Sequence, residues 1–133
     1  MATVPLVSDE EASAEVLAVF DDIRQVRGTE YVNNFWRALA NDPALLRATW
    51  ERLKQVMGPG ALDPLTKEMI YVAVSTANSC EYCVHSHTTA AKAKGMSPEQ
   101  HGELLAVIGM AMQTNGIATG LQVPVDDVFK ASP

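Results

Sequence analysis

The chain has 133 residues, 47% of them hydrophobic and 20% charged, which is the composition of a folded domain and not of a disordered segment. Its net charge of -6, with no Lys/Arg cluster to offset the acidic excess, argues against nucleic acid as a partner. Residues 1–11 are polar and acidic with no basic region ahead of an apolar run, which predicts no signal peptide. No uninterrupted apolar run approaches the roughly 18 residues of a membrane span, so the expectation is a cytoplasmic protein with no membrane partner.

Ser8-Asp9-Glu10-Glu11 has the form of a capping box, and Ala12, Val16, Val19, Phe20, Ile23 and Val26 follow at helical spacing until Gly28. A shorter helical stretch spans residues 34–40, with Phe35, Trp36 and Leu39. Asn41-Asp42-Pro43 is a turn and helix start, after which Leu45, Leu46, Trp50, Leu53 and Met57 form another stripe. Trp36 and Trp50 lie on these stripes, as core or subunit-interface residues. Gly58-Pro59-Gly60 breaks the chain.

Asp63-Pro64 then reads as N-cap and first helical residue. Residues 65–79 are apolar almost all round, which predicts a buried helix. A further helix is expected over residues 80–94, closed by Gly95. Ser97-Pro98-Glu99-Gln100 is another capping box, opening a last apolar helix over residues 104–117 that extends at most to Leu121. Residues 124–133 read as a polar tail. No period-2 strand, repeat or linker is evident, so the expected fold is all-α, one helical-bundle domain over residues 1–133.

The chemistry concentrates in Cys80-Glu81-Tyr82-Cys83 and His87. In a reducing compartment a three-residue loop removes little unfolded-state entropy, so stability is a weak reason for this spacing. At about 100° per residue, Cys80, Cys83 and His87 fall within roughly 60° of one another, provided the helix already includes Cys80. A thiol in the first helical turn feels the positive end of the dipole, which favours thiolate, and an imidazole four residues after Cys83 can accept its proton. Cys80 can then condense with a sulfenic acid on Cys83 to give a disulfide.

Glu68 is a charge in an apolar run and must be exposed, paired or functional. In an antiparallel hairpin, Glu68 lies roughly 16 Å back from the turn and His87 roughly 10 Å along the return helix. The offset of about one turn lets Glu68 orient His87 if the faces match. Inert thiols, and a zinc site using both cysteines with His85 or His87, are the competing readings. Zinc sites commonly draw on two separated ligand pairs and this chain has one. Haem attachment fails, because Val84 stands where a histidine is needed. His101, in a polar helix start, is expected at the surface.

With Glu68, Cys80, Cys83 and His87 at this spacing, the sequence resembles the AhpD-like alkylhydroperoxidase family of the carboxymuconolactone decarboxylase superfamily. The flanks 62–68 and 95–100 carry the resemblance further, over roughly residues 35–120. It implies an all-helical subunit with a two-helix core carrying the CxxC motif, assembled as a homotrimer or homohexamer. It also implies reduction of hydrogen or organic hydroperoxides, with Cys83 peroxidatic, Cys80 resolving and reductant-facing, and Glu68 and His87 as a proton relay. No bound cofactor or metal is expected, and electrons would come from an external dithiol, a thiol donor protein or a lipoyl group.

Tyr82 stands where some members carry a second histidine; it can donate a hydrogen bond but does not titrate near neutrality. Tyr82 and His85 are therefore possible contributors. The decarboxylase branch lacks the cysteine pair, which argues against decarboxylation here. A disulfide reductase or adaptor serving a separate peroxidase, and a redox-sensing or metal-binding protein without turnover, are the alternatives.

Overall fold

A computed structural model of the chain describes residues 1–130, and among these all regular structure is helical, with no strand. The chain divides into two compact units at the Gly-Pro-Gly break, one over Met1–Gly58 and the other from Pro59 onward.

The first unit holds α1 (Ala14–Arg27), α2 (Asn34–Leu39) and α3 (Pro43–Met57). The Ser8/Glu11 capping box does form, with Ser8 N–H donating to Glu11 Oε2 and Glu11 N–H to Ser8 Oγ. It closes only a turn, however, and α1 starts later, where Ser13 Oγ accepts from Val16 N–H. Gly28 ends α1 in the left-handed conformation, φ +63°. The hydrophobic core of this unit is built from Val16, Val19, Phe20 and Ile23 of α1, packed with Val32, Trp36, Leu46 and Trp50. Trp36 and Trp50 are thus core residues, edge to face at 5.3 Å. Val26, counted in the α1 stripe, is exposed instead. Polar rims seal the core: Asp22 accepts from Trp50 Nε1 and Lys54 Nζ, both at 2.6 Å, and Asp9 is shared by Arg24 and Arg37.

The second unit holds α4 (Pro64–Ala77), α5 (Glu81–Ala93) and α6 (Pro98–Leu121), followed by a short 3₁₀ turn at Asp127–Phe129. Asp63 caps α4 through Thr66 N–H, with Pro64 in the first turn as expected. The Ser97/Gln100 box forms with both arms and opens α6, which begins earlier and runs longer than residues 104–117. Gly116 and Gly120 do not stop it; the chain leaves the helix at Gln122, with φ +49°.

Burial differs from the sequence expectation here. The buried residues of α4 are Glu68, Val72 and Ser75, two of them polar, while Ile70 and Val74 are about half exposed, at 48% and 54%. In α6 only Ile108 is buried, and Leu105, Val107, Met110, Met112 and Ile117 are exposed. The apolar run over residues 65–79 was expected to be buried, but in one copy of the chain the apolar sides of both α4 and α6 face outward. By length and composition α6 also meets the requirement for a membrane span, because its few polar residues, such as Gln113 and Asn115, interrupt the run without making it charged. The tail is not uniformly polar, since Val125, Val128 and Phe129 are exposed in it; residues 131–133 lie outside the described part.

The connection between α4 and α5 positions the site. Asn78 caps α4, Ser79 turns the chain with φ +56°, and Cys80 N–H donates to Ser75 O at 2.9 Å. A left-handed conformation costs a non-glycine residue about 1–2 kcal/mol, most for β-branched side chains. Ser79 is exposed, so its backbone angle and not its packing decides what fits. We predict that Ser79→Val lowers the unfolding free energy by about 1–2 kcal/mol whereas Ser79→Asn is near neutral. Urea midpoints of the two variants check this, and equal midpoints would contradict it.

Candidate active site

Cys80 is not inside the helix, contrary to the face argument made from an all-helical Cys80-x-x-Cys83 segment. It is the N-cap of α5, with φ -87° and ψ 89°, and its Sγ accepts from Cys83 N–H at 3.3 Å. The pair still meets, because an N-cap side chain folds back over the third helical residue. Cys80 and Cys83 are joined as a disulfide with Cα atoms 5.3 Å apart. Both are partly buried. Cys83 sits in the first turn of α5, where unpaired backbone N–H groups favour negative charge on sulfur once the pair is reduced.

His87 is one turn further along α5, so it shares a face with Cys83. Its Nδ1 lies 2.7 Å from Glu68 Oε2 across the α4–α5 hairpin. The face match that the rise arithmetic left open is therefore met. An ionised carboxylate can only accept, which assigns the proton of neutral His87 to Nδ1 and leaves Nε2 as the nitrogen for proton exchange.

Glu68 is the buried member of this group, with a side chain only 6% exposed. Its other oxygen, Oε1, accepts from Lys94 Nζ at 2.6 Å. Burial pushes the carboxyl up, but hydrogen bonds from His87 and Lys94, together with their charges, outweigh it and hold the group below its ordinary 4.5. Glu68 is thus ionised at neutral pH. The His87 ring stacks on Tyr71, with centroids 3.6 Å apart and planes at 16°.

Lys94 and Tyr71 are the residues that the sequence reading missed. Tyr71 lies three residues after Glu68 on α4, and Lys94 seven after His87, at the C-cap of α5. Both spacings return a side chain to the same helical face, which is the signal that could have found them. Of the possible contributors, His85 is exposed and Tyr82, in the first turn of α5, is 43% exposed. His101 is partly buried at the start of α6 and takes no part in the group. Among the described residues no three or more His, Cys, Asp or Glu side chains cluster closely enough to hold a metal ion.

Comparison with known proteins places the sequence and the fold. The model of the carboxymuconolactone decarboxylase family matches residues 43–126. The crystal structure of an alkylhydroperoxidase AhpD core from Rhodospirillum rubrum is 65% identical and superposes with a TM-score of 0.96, covering 99% of both chains. The alkyl hydroperoxide reductase AhpD of Solibacter usitatus is 31% identical over 103 residues, which are 77% of this chain and 56% of that protein. An uncharacterised protein of the cox locus of Paracoccus denitrificans is 39% identical over 54 residues, 41% of this chain and 49% of that protein. The chain thus aligns with only about half the length of these two curated relatives. A match over most of the chain, a near-superposable relative and an all-helical fold with the CxxC pair at a helix start place it together: the chain belongs to the carboxymuconolactone decarboxylase family, in its AhpD-like branch.

Proposed function

We propose that the chain is a thiol-dependent peroxidase that reduces hydrogen or organic hydroperoxides through Cys80 and Cys83. The observation that carries this reading is a buried, ionised Glu68 holding His87 one helical turn from Cys83. The names of the Solibacter and Rhodospirillum relatives support the same chemistry.

The cycle begins by reduction of the disulfide by an external dithiol, a donor protein or a lipoyl group, which supplies two electrons and two protons. His87 Nε2 accepts the Cys83 proton, and the thiolate attacks the terminal oxygen of ROOH. The O–O bond breaks, the RO⁻ leaving group takes the proton from His87 and departs as alcohol, and Cys83 is left as sulfenic acid. Cys80 then attacks the Cys83 sulfur, water leaves, and the disulfide reforms. Glu68 stabilises the imidazolium that exists between the two transfers, the role a carboxylate serves in other acid–base pairs. No bound cofactor or metal enters any step. A reducing compartment such as the cytoplasm suits this cycle, because it regenerates the thiols.

The same reading includes self-association as a trimer or hexamer. Ile70 and Val74 on α4 and the exposed apolar residues of α6 leave more outward apolar surface than a small monomeric helical protein ordinarily carries. We predict sedimentation as a single oligomer in the absence of detergent, and lower mass after Met110→Glu/Val107→Glu substitution. A monomer at micromolar concentration, or partition into lipid vesicles, would contradict this assignment of the surface.

For the activity itself, steady-state consumption of tert-butyl hydroperoxide with a dithiol reductant is the test. Cys83→Ser abolishes turnover on this account. Full activity in that variant would show that the nucleophile lies elsewhere.

A further inference from the structure

Lys94 stands outside the sequence pattern of the site, yet it holds half of the site's buried carboxylate. Glu68 is 6% exposed and has both oxygens engaged, Oε2 by His87 at 2.7 Å and Oε1 by Lys94 at 2.6 Å. The lysine reaches it from the opposite end of α5 to the cysteines, with a side chain 40% exposed. A buried carboxylate with one oxygen unpaired would draw water to it, rotate about its last side-chain bond, or take up a proton. Each of these outcomes loosens the bond to Nδ1 that fixes the tautomer of His87.

We propose that Lys94 is a positioning residue: by occupying Oε1 it keeps Glu68 ionised and turned so that Oε2 stays on His87 Nδ1. This inference rests on the peroxidase reading for its catalytic meaning, but the physical claim concerns Glu68 alone. The remaining groups around Glu68 do not substitute for the lysine. From α4 come Lys67, whose Nζ lies beside Gly60, and Tyr71, which stacks on the imidazole; the hydrogen bonds and charges that act on the carboxylate are those of His87 and Lys94. From α5 come His87 and Lys94 themselves. The titratable residues of α6, which packs on α4, are Glu99, His101 and Glu103, none of them hydrogen-bonded or ion-paired to Glu68.

The sign of the effect follows from which form Lys94 stabilises. An ammonium and its hydrogen bond favour the carboxylate, so removing both moves protonation of Glu68 to higher pH. For an opposite charge at contact distance the displacement is about 1 unit or more, a roughly tenfold weaker acid. Guanidinium in place of ammonium keeps the charge and the donor, so Lys94→Arg should restore most of it.

The experiment is a pH titration of the Glu68 side-chain carboxyl by ¹³C NMR in the full-length, disulfide-bonded protein, assigned with Glu68→Gln. Parent, Lys94→Met, Lys94→Gln and Lys94→Arg are compared. The expected result is a midpoint about 1 unit higher in the Met and Gln variants and close to the parent in the Arg variant. The acid limb of the peroxide-consumption profile should move by the same amount, with KM unchanged. Using two neutral replacements guards against one of them failing to fold. An unmoved Glu68 midpoint in a folded neutral variant would overturn the proposal, and Lys94 would be an ordinary surface ion pair. Because the titration needs no turnover, a displaced midpoint in a protein without peroxidase activity would retain the role of Lys94 and reject only the peroxidase reading.

Discussion

The Glu68 carboxylate is buried, and burying an ion requires that its lone pairs be met and its charge matched. Two helices supply what it needs: α4 carries the carboxylate, and α5 returns with His87 and Lys94 at the heights where its two oxygens lie. Breaking a buried charge pair costs on the order of 3–5 kcal/mol, and the 40% exposure of Lys94 sets its own share below that range because water screens it. The requirement fixes the register of the hairpin. Once the register is fixed, the turn at Asn78-Ser79-Cys80 places Cys80 at the N-terminus of α5 and Cys83 one turn before His87. The carboxylate thereby holds His87 one turn from a thiol pair whose own geometry is set by the N-cap of α5.

The two units of the chain handle their apolar residues in opposite ways. The first collects Phe20, Ile23, Trp36, Leu46 and Trp50 into a sealed core. The second buries a polar group at the α4–α5 contact and turns Ile70, Val74 and most of α6 outward. Outward apolar surface of this kind is what a partner or a second copy covers in proteins that associate. Polar burial and apolar exposure are then two aspects of the same helix: Glu68 and Ser75 take places on the inner face of α4 while Ile70 and Val74 lie outside.

Much of this was legible from residue spacing. Capping pairs at Asp63-Pro64 and Ser97/Gln100, and Gly28 and Gly95 at helix ends, mark positions where backbone groups need side-chain partners or where φ is positive, and such local requirements are written in single residues. Ser8/Glu11 misled because the same reciprocal bonds can close an isolated turn. Cys80, Cys83, His87 and Glu68 were legible as a group because their offsets obey helix geometry, although the N-cap position of Cys80 replaced its assumed place within the helix. Burial of α4 was misread because hydropathy reports that an apolar side must be covered and not by which chain. Lys94 was passed over because a lysine near a helix C-terminus is ordinarily explained by the dipole alone.

The central claim is that Cys83 is the atom poised for attack, with Cys80 beside it to resolve the product. Mass spectrometry of a reduced Cys80→Ser variant, exposed briefly to one equivalent of tert-butyl hydroperoxide with a sulfenic-acid trap present, tests it most directly. The account predicts trapped sulfenate on Cys83, and in the parent protein a Cys80–Cys83 disulfide formed in its place. A Cys83 thiol that stays reduced in both proteins would contradict it, leaving the family's fold in place without its peroxide chemistry.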